Sequence, residues 1–318
     1  MPGPLKACVQ VDTLGRDSYM YSEALFVYKG CVFVPPLSMF DDVASIAKCG
    51  IDSIKTNAII NAKIESKKLE FGHTKCYNIH VGKNADECCS KKVHNSIMKT
   101  AEHETYLGDV ICSSGKNERN ISNKANCGVG AISQIFAMLS QVSLGHFYFE
   151  IALIMRDSML VSKLVASSEV WYDITKTEYQ KLESIDETWL RRLVNVQISV
   201  PKESLSIETG KLPVKYIIKM RRVMYWWHLV NLSKDELLNK VYKAQKMSPN
   251  KGDWVEQLEK DKKELGLQIS DEEVKTFTLE QFRRMVKRKV EITAGKYLEG
   301  KQKSHSKTEN LVKNEVQT

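Results

Sequence analysis

Two adjacent carboxylates interrupt an apolar run between Val32 and Ala47, and they constrain this chain more than any other feature. The run reads V-F-V-P-P-L-S-M-F-D-D-V-A-S-I-A, with Asp41 and Asp42 at its centre. Leaving carboxylates among apolar side chains costs several kcal/mol per buried charge unless a cation compensates. Because Mg²⁺ prefers carboxylate and phosphate oxygens, one interpretation is a metal site. The other is a tight turn with solvated aspartates at its tip, since Asp favours turns.

Three further segments, one before the two aspartates and two after them, occur in an order that favours the metal site. They read L-K-A-C-V-Q-V-D-T-L-G-R-D over residues 5–17, N-A-I-I-N-A-K-I-E-S-K-K-L-E-F-G-H-T-K-C-Y-N-I-H-V-G-K over 57–83, and Y-L-G-D-V-I over 106–111. Together with M-F-D-D-V, they resemble the palm of a reverse transcriptase of a non-LTR retrotransposon, from the branch with a downstream restriction-like endonuclease. The resemblance continues through a thumb and beyond, to about residue 307.

The resemblance implies an RNA-directed DNA polymerase, a nucleotidyltransferase whose partners are an RNA template, a DNA primer or duplex, and deoxynucleotides. Asp41 and Asp42 would be catalytic and would hold Mg²⁺, which stabilises both oxygens of an in-line phosphoryl displacement. Lys75 would approach the phosphates of the incoming nucleotide and protonate the leaving pyrophosphate; a surface lysine without a role is the alternative. The primer end would be positioned by Tyr106, Leu107 and Gly108.

Parts of that family have no counterpart in this chain. The fingers and the palm strand with the first metal-binding aspartate lie upstream of the segment at which this sequence begins. A Cys/His knuckle and the endonuclease would follow its last residues. Because two-metal chemistry needs the missing carboxylate, we expect a fragment of a longer polyprotein that is inactive alone.

Composition indicates an intracellular protein, nuclear or cytoplasmic, that is not secreted and has no membrane partner. The chain has 318 residues, enough for two or three domains with their own cores. Its first residues carry no secretory signal, and its longest apolar-aromatic stretch is too short to span a bilayer. Without a signal, the eight cysteines are expected to be reduced thiols.

The hydrophobic pattern predicts a helix-rich α+β fold with four segments. Residues 1–115 would form a partial palm, in which a helix over 5–26 precedes an Asp-Asp hairpin, a helix over 51–70 and short antiparallel strands near 75–81, 91–99 and 104–112. Residues 116–200 would form a helical thumb, with Thr175 or Thr177 as an N-cap. Pro201 would mark a boundary to a helical linker region over 201–300, followed by a polar tail over 301–318.

The positive charge lies in the last third of the chain. Residues 202–318 carry 25 Lys and Arg against 17 Asp and Glu, whereas residues 1–201 carry 22 of each. Such an excess is compatible with a surface that faces phosphates. A basic helical domain without a ligand explains it nearly as well.

One predicted helix, V-K-Y-I-I-K-M-R-R-V-M-Y-W-W-H-L-V-N-L, carries the candidate nucleic-acid contacts of this basic region. Lys215, Lys219, Arg222 and Trp226 lie on one stripe at i, i+4, i+7 and i+11. Ile217, Met220, Met224 and Trp227 share another face. A basic stripe that ends in an aromatic side chain could follow a phosphate backbone and stack a base. The alternative is that the tryptophans belong to the core and the lysines to a solvated face.

Zinc is a weaker hypothesis. His73, Cys76, His80, Cys88 and Cys89 include a C-x3-H spacing, but C-x2-C half-sites are missing. We therefore expect no zinc site.

Three hypotheses on function stay open at the level of sequence. The first is a fragment of a retroelement polymerase, the second a noncatalytic nucleic-acid-binding protein derived from such an element, and the third a decayed remnant without a function. Salt-dependent binding of RNA or DNA discriminates the second from the third.

Overall fold

The strands and most of the helices fall in different parts of the chain. The computed structural model describes residues 7–13, 37–39, 42–47, 57–59, 62, 66, 76–81, 92–93, 96–97, 99–141, 145–249 and 251–315, with side chains omitted for 7–47, 92–97 and 305–315. The chain divides into two compact units, Met1–Asn120 and Ile121–Thr318. The fold is helix-rich α+β, as the sequence predicts.

The first unit holds the strands. They are β1 (Ala7–Thr13), β2 (Leu37–Met39), β3 (Asp42–Ala47), β4 (Tyr77–Val81), β5 (Lys92–Val93), β6 (Ser96–Ile97), β7 (Lys99–Thr100), β8 (His103–Tyr106) and β9 (Asp109–Cys112). Five of them form a sheet in the order β2-β3-β1-β4-β7, antiparallel except for the β4–β7 pair. The pairs β5–β6 and β8–β9 are separate antiparallel ribbons.

The first of these strands corrects one prediction. A helix was expected over 5–26, but residues 7–13 form β1, which pairs with β3 on one side and β4 on the other. The segment A-C-V-Q-V-D-T alternates Val9 and Val11 with polar neighbours, a period of two that suits a strand. Residues 57–59, 62 and 66 are helical, in agreement with the helix predicted over 51–70.

The second unit is built from helices. The helices are α1 (Glu118–Ser140), which begins in the first unit, then α2 (Tyr148–Met155), α3 (Ser162–Leu164), α4 (Lys176–Val194), α5 (Lys202–Thr209), α6 (Val214–Asn231), α7 (Leu237–Met247), α8 (Trp254–Glu264), α9 (Asp271–Thr276) and α10 (Leu279–Glu315). A π-helical turn at Arg156–Val161 joins α2 to α3. Within the described part of the chain, none of the helices is long and apolar enough to cross a membrane.

Two clusters of buried apolar side chains form the core of this unit. The first includes Leu190, Leu205 and Val214, which lie on both sides of Pro201. Pro201 is the N-cap of α5, and residues on both sides of it pack into this cluster. The second cluster is formed by α6 with α7, α8, α9 and α10. The last helix, α10, continues through most of the segment expected to be a polar tail.

A buried ion pair lies beside the first cluster. The Arg156 guanidinium, 1% exposed, donates from Nε and Nη2 to the two Asp186 carboxylate oxygens at 2.7 and 2.6 Å. This two-pronged geometry is the strongest that arginine and a carboxylate form. It fixes the π-helical turn against α4.

Thr175 is the N-cap of α4, one of the two residues expected to cap it. Its Oγ1 accepts a hydrogen bond from the Glu178 backbone N–H at 3.2 Å, and Glu178 Oε2 accepts one from the Thr175 N–H at 2.7 Å. Two backbone donors that the helix leaves unpaired are thus satisfied.

We expect Thr175→Ala to lower the free energy of unfolding by about 1 kcal/mol, because the cap is lost. Thr188→Ala is the matched control, since Thr188 lies inside α4 with its hydroxyl bonded only to the Ser184 carbonyl; we expect a change within about 0.5 kcal/mol. Urea unfolding of both variants measures the difference. Equal effects would contradict the role of Thr175.

Candidate nucleic-acid interface

Helix α6 carries the candidate basic stripe and lies between the two cores. Val214 and Ile218 belong to the first cluster, and Val223, Trp226 and Leu229 to the second. Because α6 serves both clusters, most of its circumference is buried, which limits what it can offer to a ligand.

Arg222, at the centre of the stripe, is completely buried. Its Nε and Nη2 donate to the Trp171 carbonyl oxygen at 3.1 and 2.8 Å, and its Nη1 forms an ion pair with Asp261 of α8, which is 1% exposed. Burial raises the pKa of the Asp261 carboxyl, and the Arg222 guanidinium opposes this shift. Arg222 therefore balances a buried charge of this chain.

The two lysines of the stripe also have partners inside the unit. Lys219 is buried and its Nζ forms an ion pair with Glu264. Lys215 is partly buried, with its Nζ 3.2 Å from the centre of the Tyr297 ring. Burial lowers the pKa of Lys215. Lys219 is therefore not part of a solvated face.

Trp226, the aromatic end of the stripe, lies in the second core and is completely buried. Its Nε1 is 3.0 Å from the Tyr242 hydroxyl and 3.0 Å from Asp271 Oδ1. Although burial raises the pKa of Asp271, hydrogen bonds from Lys246, Tyr242 and Trp226 bring it below its ordinary value.

The expected contact of this stripe with nucleic acid is therefore corrected for Arg222 and Trp226. A completely buried side chain has no surface to offer a phosphate or a base. The burial supports the alternative interpretation, in which the tryptophan belongs to the core.

The other face of α6 borders an open groove of about 380 Å³, called the α6 groove here. Met220, Met224 and Trp227, at i, i+4 and i+7, come from the face that the sequence set apart from the stripe. The remaining lining residues are neighbours on α6, on the start of α10 and on the turn before Trp171, namely Arg221, Tyr225, His228, Leu279, Arg283 and Glu169.

Aromatic contacts and hydrogen bonds fix the wall of the α6 groove. The ring of Tyr225 stacks on that of His228, with centroids 5.8 Å apart, and meets Trp254 edge-on. Trp227 is partly exposed and donates from Nε1 to the Phe277 carbonyl at 3.1 Å. These contacts hold the aromatic side chains of the wall in place.

The two arginines of the groove differ in charge balance. Arg221 donates from Nε and Nη2 to a single Glu169 oxygen at 3.0 and 2.7 Å, so its charge is compensated. Arg283 lies 3.5 Å from Glu280, and both side chains are more than half exposed. An exposed pair of this kind contributes little and is easily exchanged. Arg283 is thus the groove cation available to an anion.

Helix α10 extends from the groove as a basic helix. Phe282, Val286, Val290 and Ala294 recur every four residues and are buried in the second core, so the intervening cations point outward. Five of these are exposed, with Lys289 on the other side of the buried row from Lys287 and Arg288, and we call them the α10 basic face: Arg283, Arg284, Lys287, Arg288 and Lys289. The run R-R-x-x-K-R-K is a sequence signal for these exposed cations, but it lacks the aromatic residue that singled out the stripe on α6.

Few carboxylates balance the α10 basic face. Glu280 pairs with Arg284 at 2.9 Å as well as with Arg283, and Glu291 lies 3.9 Å from Lys287. Among the described residues, these two exposed carboxylates thus pair with three of the five cations. The result is a local positive surface.

The β8–β9 ribbon contains the predicted primer-positioning residues. Tyr106 pairs with Asp109, and the backbone between them turns at Leu107 and Gly108 with φ angles of 49° and 82°. Two positive φ angles in a two-residue turn suit the twist of a hairpin, but they are uncommon for leucine. Leu107 is 48% exposed at the tip. The structure therefore brings these three residues together on one tight turn.

The predicted catalytic residues are described only in part. Asp42 begins β3, opposite Met39 of β2 and Thr13 of β1. Asp41 and Lys75 lie outside the described residues. Among those described, no three His, Cys, Asp or Glu residues come together in a way that could hold a metal ion.

Neither protein-family models nor curated proteins match this chain.

We expect Arg222→Ala to lower the free energy of unfolding by about 3–5 kcal/mol, because it leaves the buried Asp261 charge unpaired. The double variant Arg222→Met with Asp261→Leu removes both charges and should recover much of that loss. Urea unfolding measures both. A loss below about 1 kcal/mol in Arg222→Ala would contradict the burial of this pair.

Proposed function

We propose that this chain is part of an RNA-directed DNA polymerase of the non-LTR retrotransposon kind, and that its helical unit binds nucleic acid through the α10 basic face. The observation that carries the binding proposal is the exposed cluster of five cations on α10, which among the described residues has ion pairs to Glu280 and Glu291 alone. Lys and Arg that neutralise phosphates release condensed counterions, which supplies most of the affinity for a nucleic-acid strand.

The proposal moves the phosphate contacts from α6 to α10. Lys215, Lys219, Arg222 and Trp226 were the sequence candidates, but acidic or aromatic partners within the unit hold them. Side chains of the α10 basic face instead end in solvent, where exchanging a weak carboxylate contact for a phosphate costs little. The basic character of the last third of the chain then has a specific location.

The polymerase part of the proposal rests on the resemblance of the sequence. The antiparallel pairing of β2 with β3 supports it, because it brings the chain back on itself around the position of the two aspartates. Carboxylate oxygens are the ligands that Mg²⁺ prefers, so Asp41 and Asp42 suit the ion. When bound, Mg²⁺ would supply charge stabilisation to phosphoryl transfer.

Other residues of this chain would orient the substrates. Lys75 would hold the phosphates of the incoming deoxynucleotide and give a proton to the leaving pyrophosphate. The Tyr106–Gly108 turn would position the primer end, and its exposed Leu107 supports a contact at the tip. A retroelement-derived protein that binds nucleic acid without catalysis is the second candidate, because the α10 basic face needs no polymerase site.

We expect these 318 residues to extend no primer on an RNA template with Mg²⁺, because the resemblance assigns only Asp41 and Asp42 among them as palm carboxylates, and two-metal chemistry needs a further one. Gel analysis of extended primers measures this, with Asp41→Asn/Asp42→Asn as the reference. Extension by the wild-type chain above that reference would contradict the expectation.

Neutralising the α10 basic face should weaken binding of single-stranded RNA or DNA and flatten its salt dependence. In Lys287→Gln/Arg288→Gln, two lost phosphate contacts reduce the slope of log K against log salt by roughly 0.7 each. The control is Lys240→Gln/Lys243→Gln, which changes the net charge equally at two exposed residues of α7. Fluorescence anisotropy at several salt concentrations measures both. Equal effects of the two double variants would contradict a binding face on α10.

A further inference from the structure

The α6 groove has a feature that phosphate binding does not use. A basic helix needs only exposed cations to bind the phosphate backbone of a nucleic acid. Arg283 of the α10 basic face, however, also lines a groove whose wall includes Met220, Met224 and Trp227. Its volume, about 380 Å³, is at the lower end of the roughly 300–1,000 Å³ of small-ligand sites. A groove of this kind suits a ligand with a flat apolar body and an anionic end.

A nucleotide combines these two properties. The partly exposed indole of Trp227 offers a stacking surface, and the thioethers of Met220 and Met224 are polarisable apolar contacts beside it. Arg283 supplies the positive charge at the rim, since Arg221 is already compensated by Glu169. The apolar body and the charge would thus be bound by different residues a short distance apart.

We propose that the α6 groove takes an unpaired base of the strand that the α10 basic face holds, with Arg283 on the adjacent phosphate. This inference rests on the proposed nucleic-acid binding and adds a preference for single strands. Bases in a duplex are stacked and paired, so inserting one into the groove would first cost the free energy of unstacking and unpairing it. Any base has a flat face, so the groove would select strandedness and not sequence.

The chain carries its own probe for this site. Of its five tryptophans, Trp171, Trp189, Trp226 and Trp254 are buried, and Trp227 alone is partly exposed. A base stacked on Trp227 should quench its fluorescence, whereas phosphates on α10 alone should not. Trp227→Phe removes the signal but keeps an aromatic ring, and Trp227→Leu removes the aromatic surface.

The test compares an oligo-deoxythymidine, an abasic strand of equal length and a duplex, all with the full chain. One stacked base contributes about 1–3 kcal/mol, which at 1.4 kcal/mol per tenfold is about 5- to 140-fold in Kd. We expect the base-bearing strand to bind more tightly than the abasic strand by this factor and to quench Trp227, with the duplex resembling the abasic strand. Trp227→Leu should abolish the preference without changing the salt slope, and Trp227→Phe should retain it.

Phe147→Leu is the matched control, because Phe147 is an aromatic residue of the same unit that is 53% exposed outside the groove; its preference should equal that of wild type. Urea unfolding reports whether Trp227→Leu folds. If it does not fold, two other results still decide the question. The first is quenching of the wild-type fluorescence by the base-bearing strand and not by the abasic strand. The second is the retained preference of Trp227→Phe.

Each contrary result has a distinct meaning. Equal, salt-dependent binding of base-bearing and abasic strands would overturn the groove proposal and leave the α10 basic face in place. Absence of binding to every strand would overturn both. Concentration-dependent self-association that Trp227→Leu removes would identify a second copy of the chain as the occupant and would also overturn the base site.

Discussion

The arrangement of the helical unit depends on the buried pair of Arg222 and Asp261. Arg222 also donates twice to the Trp171 carbonyl, so one guanidinium connects α6, α8 and the turn that precedes α4. A charge buried to this extent is tolerated only with partners that satisfy its hydrogen bonds. The requirement fixes the rotation of α6 about its own axis, because Arg222 has to face Asp261. The apolar residues of α6 in the two cores fit the same rotation.

With Arg222 turned inward, Trp226 enters the second core one turn later, and the face with Met220, Met224 and Trp227 turns toward the α6 groove. Helix α10 packs its apolar row on the same core and leaves its cations in solvent. The groove and the basic face meet at Arg283, which belongs to both. Packing of the interior thus accounts for a surface with adjacent apolar and cationic parts, which is the basis of the proposed function.

Local signals in the sequence predicted much of the fold. The N-cap at Thr175 and the helices after residue 117 follow from cap and periodicity rules that act over a few residues. The single strand expected near 104–112 is instead two strands, β8 and β9, joined by a turn at Leu107 and Gly108. Whether the stripe on α6 is buried or exposed could not be predicted in this way, because its partners are distant in sequence. Glu264 lies 45 residues after Lys219, and Asp261 lies 39 residues after Arg222. Helical spacing shows which side chains share a face, but long-range partners decide whether that face is buried. The strand β1, by contrast, was missed although the alternation of Val9 and Val11 with polar neighbours is a local signal for it.

Lysine acetylation of the free and nucleic-acid-bound chain, quantified by mass spectrometry, tests the central claim most directly. The binding face is assigned to α10, where Lys287 is 66% exposed, and not to α6, where Lys219 is buried against Glu264. Lys287 and Lys289 should lose reactivity when a single strand binds, while the exposed Lys240 and Lys243 keep theirs and Lys219 stays unreactive in both states. Protection of Lys240 and Lys243 with Lys287 unaffected would contradict the assignment.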